Sequence, residues 1–117
     1  MAGSDAPSPR VTTLAERKRN EATRRKLAAD AAVRELRRYA SEHGGRYVIF
    51  GSYAEGTLRF DSDLDVLIDF PAGQTTDAWL FAEDVCARHQ VPLDIHDART
   101  TTAAFAERVV SRGLILS

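Results

Sequence analysis

Two short apolar runs, Tyr47-Val48-Ile49-Phe50 and Val66-Leu67-Ile68, bracket a stretch that opens on Gly51-Ser52 and closes on Asp63-Leu64-Asp65. The runs have the length and composition of strands. The stretch between them predicts a loop with a short helical turn at about Tyr53–Leu58. Residues two apart on a strand point to the same face. Asp63 and Asp65 therefore present two carboxylates side by side at the start of a hydrophobic strand. Neighbouring like charges repel and are costly to desolvate, so a protein core gains nothing from the pair. A hard divalent cation does.

The rest of the chain supplies a frame for that stretch. Thr13-Leu14-Ala15-Glu16 fits a capping box. From Leu14 to about His43 there is no Gly or Pro, which predicts one long helix. Its first half, Arg17 to Lys26, is polar nearly all round and is expected to project or to dock on another chain. Its second half carries Ala29, Val33, Leu36 and Ala40 at helical spacing, with Tyr39 beside them, and is expected to pack on the sheet. Gly44-Gly45 stops it.

Strands are expected at about Arg46–Phe50, Asp63–Phe70 and Val91–His96, with helices at Thr75–His89 and Thr100–Ser111. The first of these helices places Trp79, Leu80, Ala82, Val85 and Cys86 at apolar positions, the second Phe105, Val109 and Val110. Leu114-Ile115-Leu116 reads as an apolar tail. The expected class is α+β, a three-stranded mixed sheet packed with helices and preceded by a long N-terminal helix. The expected division is a disordered lead over 1–12, the helix over 13–44 and a minimal catalytic domain over 45–117.

Composition bounds the function classes. The chain has 117 residues, room for one core. Its single cysteine, Cys86, excludes an internal disulfide framework. No apolar run approaches the roughly 20 residues of a membrane helix, and no signal-peptide core is visible, so the expectation is a cytoplasmic protein without membrane contact. Net charge is −1, but unevenly spread: residues 1–46 hold 11 Lys/Arg against 6 Asp/Glu, and residues 47–117 hold 5 against 11. A basic arm precedes an acidic body. It suits a solvated helix, or an acidic partner, nucleic acid included.

A third acid joins the first two. Asp94 lies in Pro92-Leu93-Asp94-Ile95, flanked by hydrophobes, where an unpartnered carboxylate is rare. If its strand neighbours that of Asp65, three carboxylates converge into an oxygen cage suited to Mg²⁺. Two such ions clamp the attacking and leaving oxygens of a phosphoryl displacement. Gly51 lets backbone approach a phosphate, and Ser52 offers a hydroxyl and an amide.

Gly-Ser, ten residues, Asp-x-Asp and a later strand Asp together resemble the nucleotidyltransferase superfamily that shares the polymerase-β catalytic fold. Over about Arg46 to Leu116 the chain is similar to the minimal nucleotidyltransferases, and among them to antitoxins encoded beside HEPN-domain toxin ribonucleases. The resemblance implies that Gly51 and Ser52 bind nucleotide phosphates, that Asp63 and Asp65 hold two Mg²⁺, and that Asp94 joins them and activates the acceptor hydroxyl. It implies transfer of AMP from ATP to a hydroxyl, with a tyrosine of a cognate HEPN toxin as acceptor. The position before Gly56 is often basic in such proteins, but here it is Glu55. Arg59 is the expected substitute for that phosphate-binding base.

Other readings carry less. Gly51-x4-Gly56-Thr57 half-imitates a P-loop but lacks its lysine. Arg38-x4-His43 imitates a ribonuclease motif within one helix. Cys86 and Trp79 are expected to pack, His96 to be a satisfied polar residue, and Asp69 to share the face of Asp63 and Asp65 as an outlying support. Two alternatives remain open. One is a module that neutralises its partner by contact. The other is a small-molecule transferase of the aminoglycoside-modifying kind, completed by a partner subunit.

Overall fold

The structure, a computed structural model, describes residues 13–117; the expected disordered lead over 1–12 lies outside the described residues. Thr13 caps the first helix, α1 (Leu14–His43), through the predicted box: its hydroxyl accepts from the Glu16 amide, and Glu16 accepts in return from the Thr13 amide. Gly44, at φ 72°, ends the helix in the left-handed conformation that costs a residue without Cβ least.

Strand β1 (Arg46–Phe50), the single turn α2 (Ser52–Glu55) and strand β2 (Leu64–Asp69) follow. Then come helix α3 (Thr75–Arg88), strand β3 (Leu93–Asp97), helix α4 (Ala103–Arg112) and strand β4 (Leu114–Leu116). The sheet order is β3-β2-β1-β4. β1 runs antiparallel to both of its neighbours, while β2 and β3 are parallel, with α3 as the crossover between them.

The sheet therefore has four strands, not the three expected. The tail Leu114–Leu116 pairs antiparallel with Tyr47–Ile49. Three residues are too few to show a strand's alternation, and their partner, Tyr47–Ile49, lies far earlier in the sequence, beyond two strands and three helices. Leu116 is fully buried in the main core.

Alternation along the strands divides the interior in two. Tyr47, Ile49, Leu64, Val66 and Ile68 face α1 and α3 and meet Ala29, Val33, Leu36, Ala40, Ala82 and Val85. The Tyr47 hydroxyl, buried there, donates to the Ala78 carbonyl at 2.7 Å. Val48 and Leu67 face the other way and are covered by Val109, Phe105 and Val110 of α4. The second half of α1 packs as its periodicity predicts. Its first half does not simply project. Arg25, with a side chain only 14% exposed, donates to the Ser62 carbonyl at 2.5 Å, and Lys18 lies over the Phe60 ring. The arm holds the loop that leads into β2. In α3, Ala78 takes the buried position expected of Leu80, which is 57% exposed. Among the described residues no helix is long and apolar enough to cross a membrane.

Candidate functional site

The second face of the sheet is only partly covered. α4 lies over Val48 and Leu67 in its middle. At one end the register aligns Phe50 of β1, Asp65 of β2 and Asp94 of β3 in a single row. Parallel pairing of β2 with β3 therefore sets the two acids side by side, as the strand reading anticipates. Asp63 precedes β2 by one residue, rather than opening it, and keeps the parity that points it to the same face. Asp63 and Asp94 are exposed, and Asp65 is half-buried between them.

The electrostatics agree with that crowding. Burial, then the charge and hydrogen bond of Asp94, then the charge of Asp63 raise the Asp65 carboxyl to about 6, with His96 pulling the other way. His96 lies one pleat along β3, on the face of Asp94, with Nε2 3.4 Å from Asp94 Oδ2. Its ring also meets Phe50 and Phe105. Three like-charged oxygen donors held on one face form a set suited to Mg²⁺. In this geometry they are not drawn together to metal-ligand spacing: among the described residues no three His, Cys, Asp or Glu side chains are so closely grouped. The donor chemistry of the three carboxylates fits the ion.

Gly51 closes the row on the β1 side. It adopts φ 71° and ψ −147°, a region open to glycine almost alone. A Cβ there would fall on Asp65 Oδ2. The backbone thus passes directly against the central carboxylate. α2 begins at the next residue, and the amides of a first helical turn have no partners within the helix. The Ser52 hydroxyl makes no hydrogen bond among the described residues. Gly56 ends the turn at φ 75°.

Some expected residues lie elsewhere. Asp69 sits at the opposite end of β2 and is ion-paired to Arg46 at 2.7 Å, so it does not support the acid row. Arg59 is exposed in the loop after α2, 3.8 Å from Asp61, with no contact to the row. His43 is committed to the end of α1, its Nδ1 2.8 Å from the Tyr39 carbonyl and its ring stacked on Tyr39. The Cys86 thiol is buried and pushed up to about 11 by that burial, as befits an inert core residue.

Sequence reasoning passed over Arg108 and Arg112. With Phe50, Gly51, Ala54, Glu55, Phe105 and Val109 they line a hollow of about 210 Å³ between α2 and α4. Their one visible signal is an i, i+4 spacing on a helix of otherwise ordinary composition.

A four-stranded mixed sheet flanked by helices, carrying acids on adjacent parallel strands beside a glycine-led turn, has the architecture of a phosphoryl-transfer domain. The nucleotidyltransferase domain family matches residues 30–113, and the chain belongs to it. The match reaches back into α1, beyond the Arg46–Leu116 span that the motifs suggest, because the second half of α1 forms a wall of the same core. A solved structure with the working description of a minimal nucleotidyltransferase is 26% identical at a TM-score of 0.63. That likeness covers 76% of this chain and 93% of the other. A crystal structure of a toxin-antitoxin with AMP-PNP is also 26% identical, covering 62% of this chain and 59% of the other. Its TM-score of 0.48 is too low to carry an argument. No curated protein matches the chain.

Proposed function

We propose that the protein transfers AMP from ATP to a hydroxyl, and that the acceptor is a tyrosine on a cognate protein, a HEPN-domain toxin that the transfer silences. The observation that carries the reading is the row of Asp65 and Asp94 at one register position, with Asp63 beside it and the Gly51 backbone against its central carboxylate.

Asp63, Asp65 and Asp94 would hold Mg²⁺. When bound, these ions neutralise phosphate charge and clamp the attacking and leaving oxygens. The Gly51–Ser52 turn steadies the phosphates through its backbone amides and the Ser52 hydroxyl. Asp94, exposed at the rim, accepts the proton of the acceptor hydroxyl. The acceptor oxygen bonds to the α-phosphorus, the bond from that phosphorus to the bridging oxygen breaks, and pyrophosphate leaves with the electron pair.

The exposure of Asp63 and Asp94 favours a macromolecular acceptor that brings its own binding surface. The choice of AMP and of a HEPN partner rests on the motif resemblance. The test is to incubate the purified protein, labelled ATP and Mg²⁺ with a HEPN-domain protein taken from a neighbouring reading frame. The expected result is label on a tyrosine of the partner, lost with Asp65→Asn. Partner silencing that survives Asp63→Asn/Asp65→Asn without label would establish neutralisation by contact instead.

A further inference from the structure

The hollow between α2 and α4 touches the acid row without belonging to it. Gly51 and Phe50 are shared: Gly51 abuts Asp65, and Phe50 stands opposite Asp65 in register. From the far wall come Arg108 and Arg112, one turn apart on α4. Neither guanidinium has a carboxylate partner among the described residues; Arg108 meets only the Phe105 ring, 5.9 Å from its centroid. Glu55, on the near wall, is not paired with either.

Two unpaired arginines facing a concave space beside a candidate metal site have a clear electrostatic use. Guanidinium groups bind phosphate oxygens in charge-assisted, often bidentate hydrogen bonds. In nucleotidyl transfer, negative charge accumulates on the departing pyrophosphate, and fixed cations there lower the barrier. The turn after Gly51 carries an acid, Glu55, and Arg59 is directed away to Asp61. α4 is the element that brings positive charge to Gly51.

We infer that Arg108 and Arg112 form the cationic wall that holds the β- and γ-phosphates of the incoming nucleotide and the pyrophosphate that leaves, the role expected of Arg59. This rests on the transferase reading above. It adds that the triphosphate runs from the acid row across Gly51 towards α4, and that Glu55 opposes it.

Calorimetric titrations with ATP, AMP and inorganic tripolyphosphate, each with Mg²⁺, test it. Tripolyphosphate removes any dependence on the nucleobase. Both arginines are exposed, so Arg108→Gln and Arg112→Gln are expected to fold normally. Each should weaken ATP and tripolyphosphate about tenfold or more while leaving AMP nearly unchanged. Lysine at either position should restore part of the loss. Arg59→Gln should change nothing, and Glu55→Gln should tighten tripolyphosphate several-fold. If ATP binding falls with Asp65→Asn but not with either glutamine variant, the cationic wall is refuted and the transferase reading stands. An equal loss for AMP and tripolyphosphate would also refute it, since that marks general damage. Wild-type protein that binds neither ATP nor tripolyphosphate would overturn both.

Discussion

Asp65 is the residue on which the chemistry and the stability of the protein pull in opposite directions. In the metal-free protein its carboxyl is raised from 3.8 to about 6, first by burial and then by Asp94. The folded state therefore holds an extra proton between these values, and stability falls as pH rises across that window. The loss is about 1–2 kcal/mol, allowing for partial exposure. Urea unfolding at pH 4.5 and pH 7 without metal should show it, and Asp65→Asn should abolish the difference. Ligand binding runs the other way, because a cation needs the carboxylate. Mg²⁺ and nucleotide affinity should rise through about pH 6, and calorimetry on either side of that value measures it. Gly51 is the second critical residue. Gly51→Ala combines a forbidden backbone region with a collision on Asp65 Oδ2. It should cost about 1–3 kcal/mol in thermal unfolding and remove nucleotide binding.

At the scale of elements, most of the architecture is legible because it is local. A capping box, a run without Gly or Pro, and an apolar stripe define α1 without reference to anything else. The Gly-Ser and Asp-x-Asp spacing singles out Gly51, Ser52, Asp63 and Asp65 within one local stretch. What escapes is contact between distant segments. β4 exists because β1 offers it an edge. Arg108 and Arg112 matter because α4 crosses near Gly51, and no local pattern announces that crossing. The burial of Ala78 in place of Leu80 follows from how α3 is rotated against α1, which a roughly amphipathic pattern leaves open. β4 can be tested directly. Leu116→Ala removes a fully buried side chain and should destabilise the fold by about 2–5 kcal/mol in denaturant titration.

At the scale of the whole molecule, a basic first half of α1 reaches back to the loop before β2. Arg25 to Ser62 and Lys18 to Phe60 hold that loop, and Lys26 lies over the Tyr53 ring of α2. Arg17, Arg19 and Arg24 remain exposed, as does Leu14 at 65%. The core begins only at Ala29. Removing residues 1–21 should therefore leave the unfolding midpoint within a few degrees of wild type. If the exposed basic face docks an acidic partner, affinity for that partner should drop on the same truncation and its salt dependence should flatten; unchanged affinity assigns the arm to solvent. Arg25→Ala should instead leave partner affinity intact while weakening Mg²⁺ binding, because it releases the segment that positions Asp63. Titration of the two variants side by side separates docking from positioning.

The parallel pairing of β2 with β3 has a kinetic corollary. Asp65 and Asp94 become neighbours only when a strand on each side of the α3 crossover has found the correct register. Such long-range pairings close late, because the entropy of the intervening loop must be overcome first. A slip of one residue would turn Asp94 to the opposite face. A chain that is helical but has an incomplete sheet has no acid row. The candidate site is therefore the last part of the molecule to be assembled.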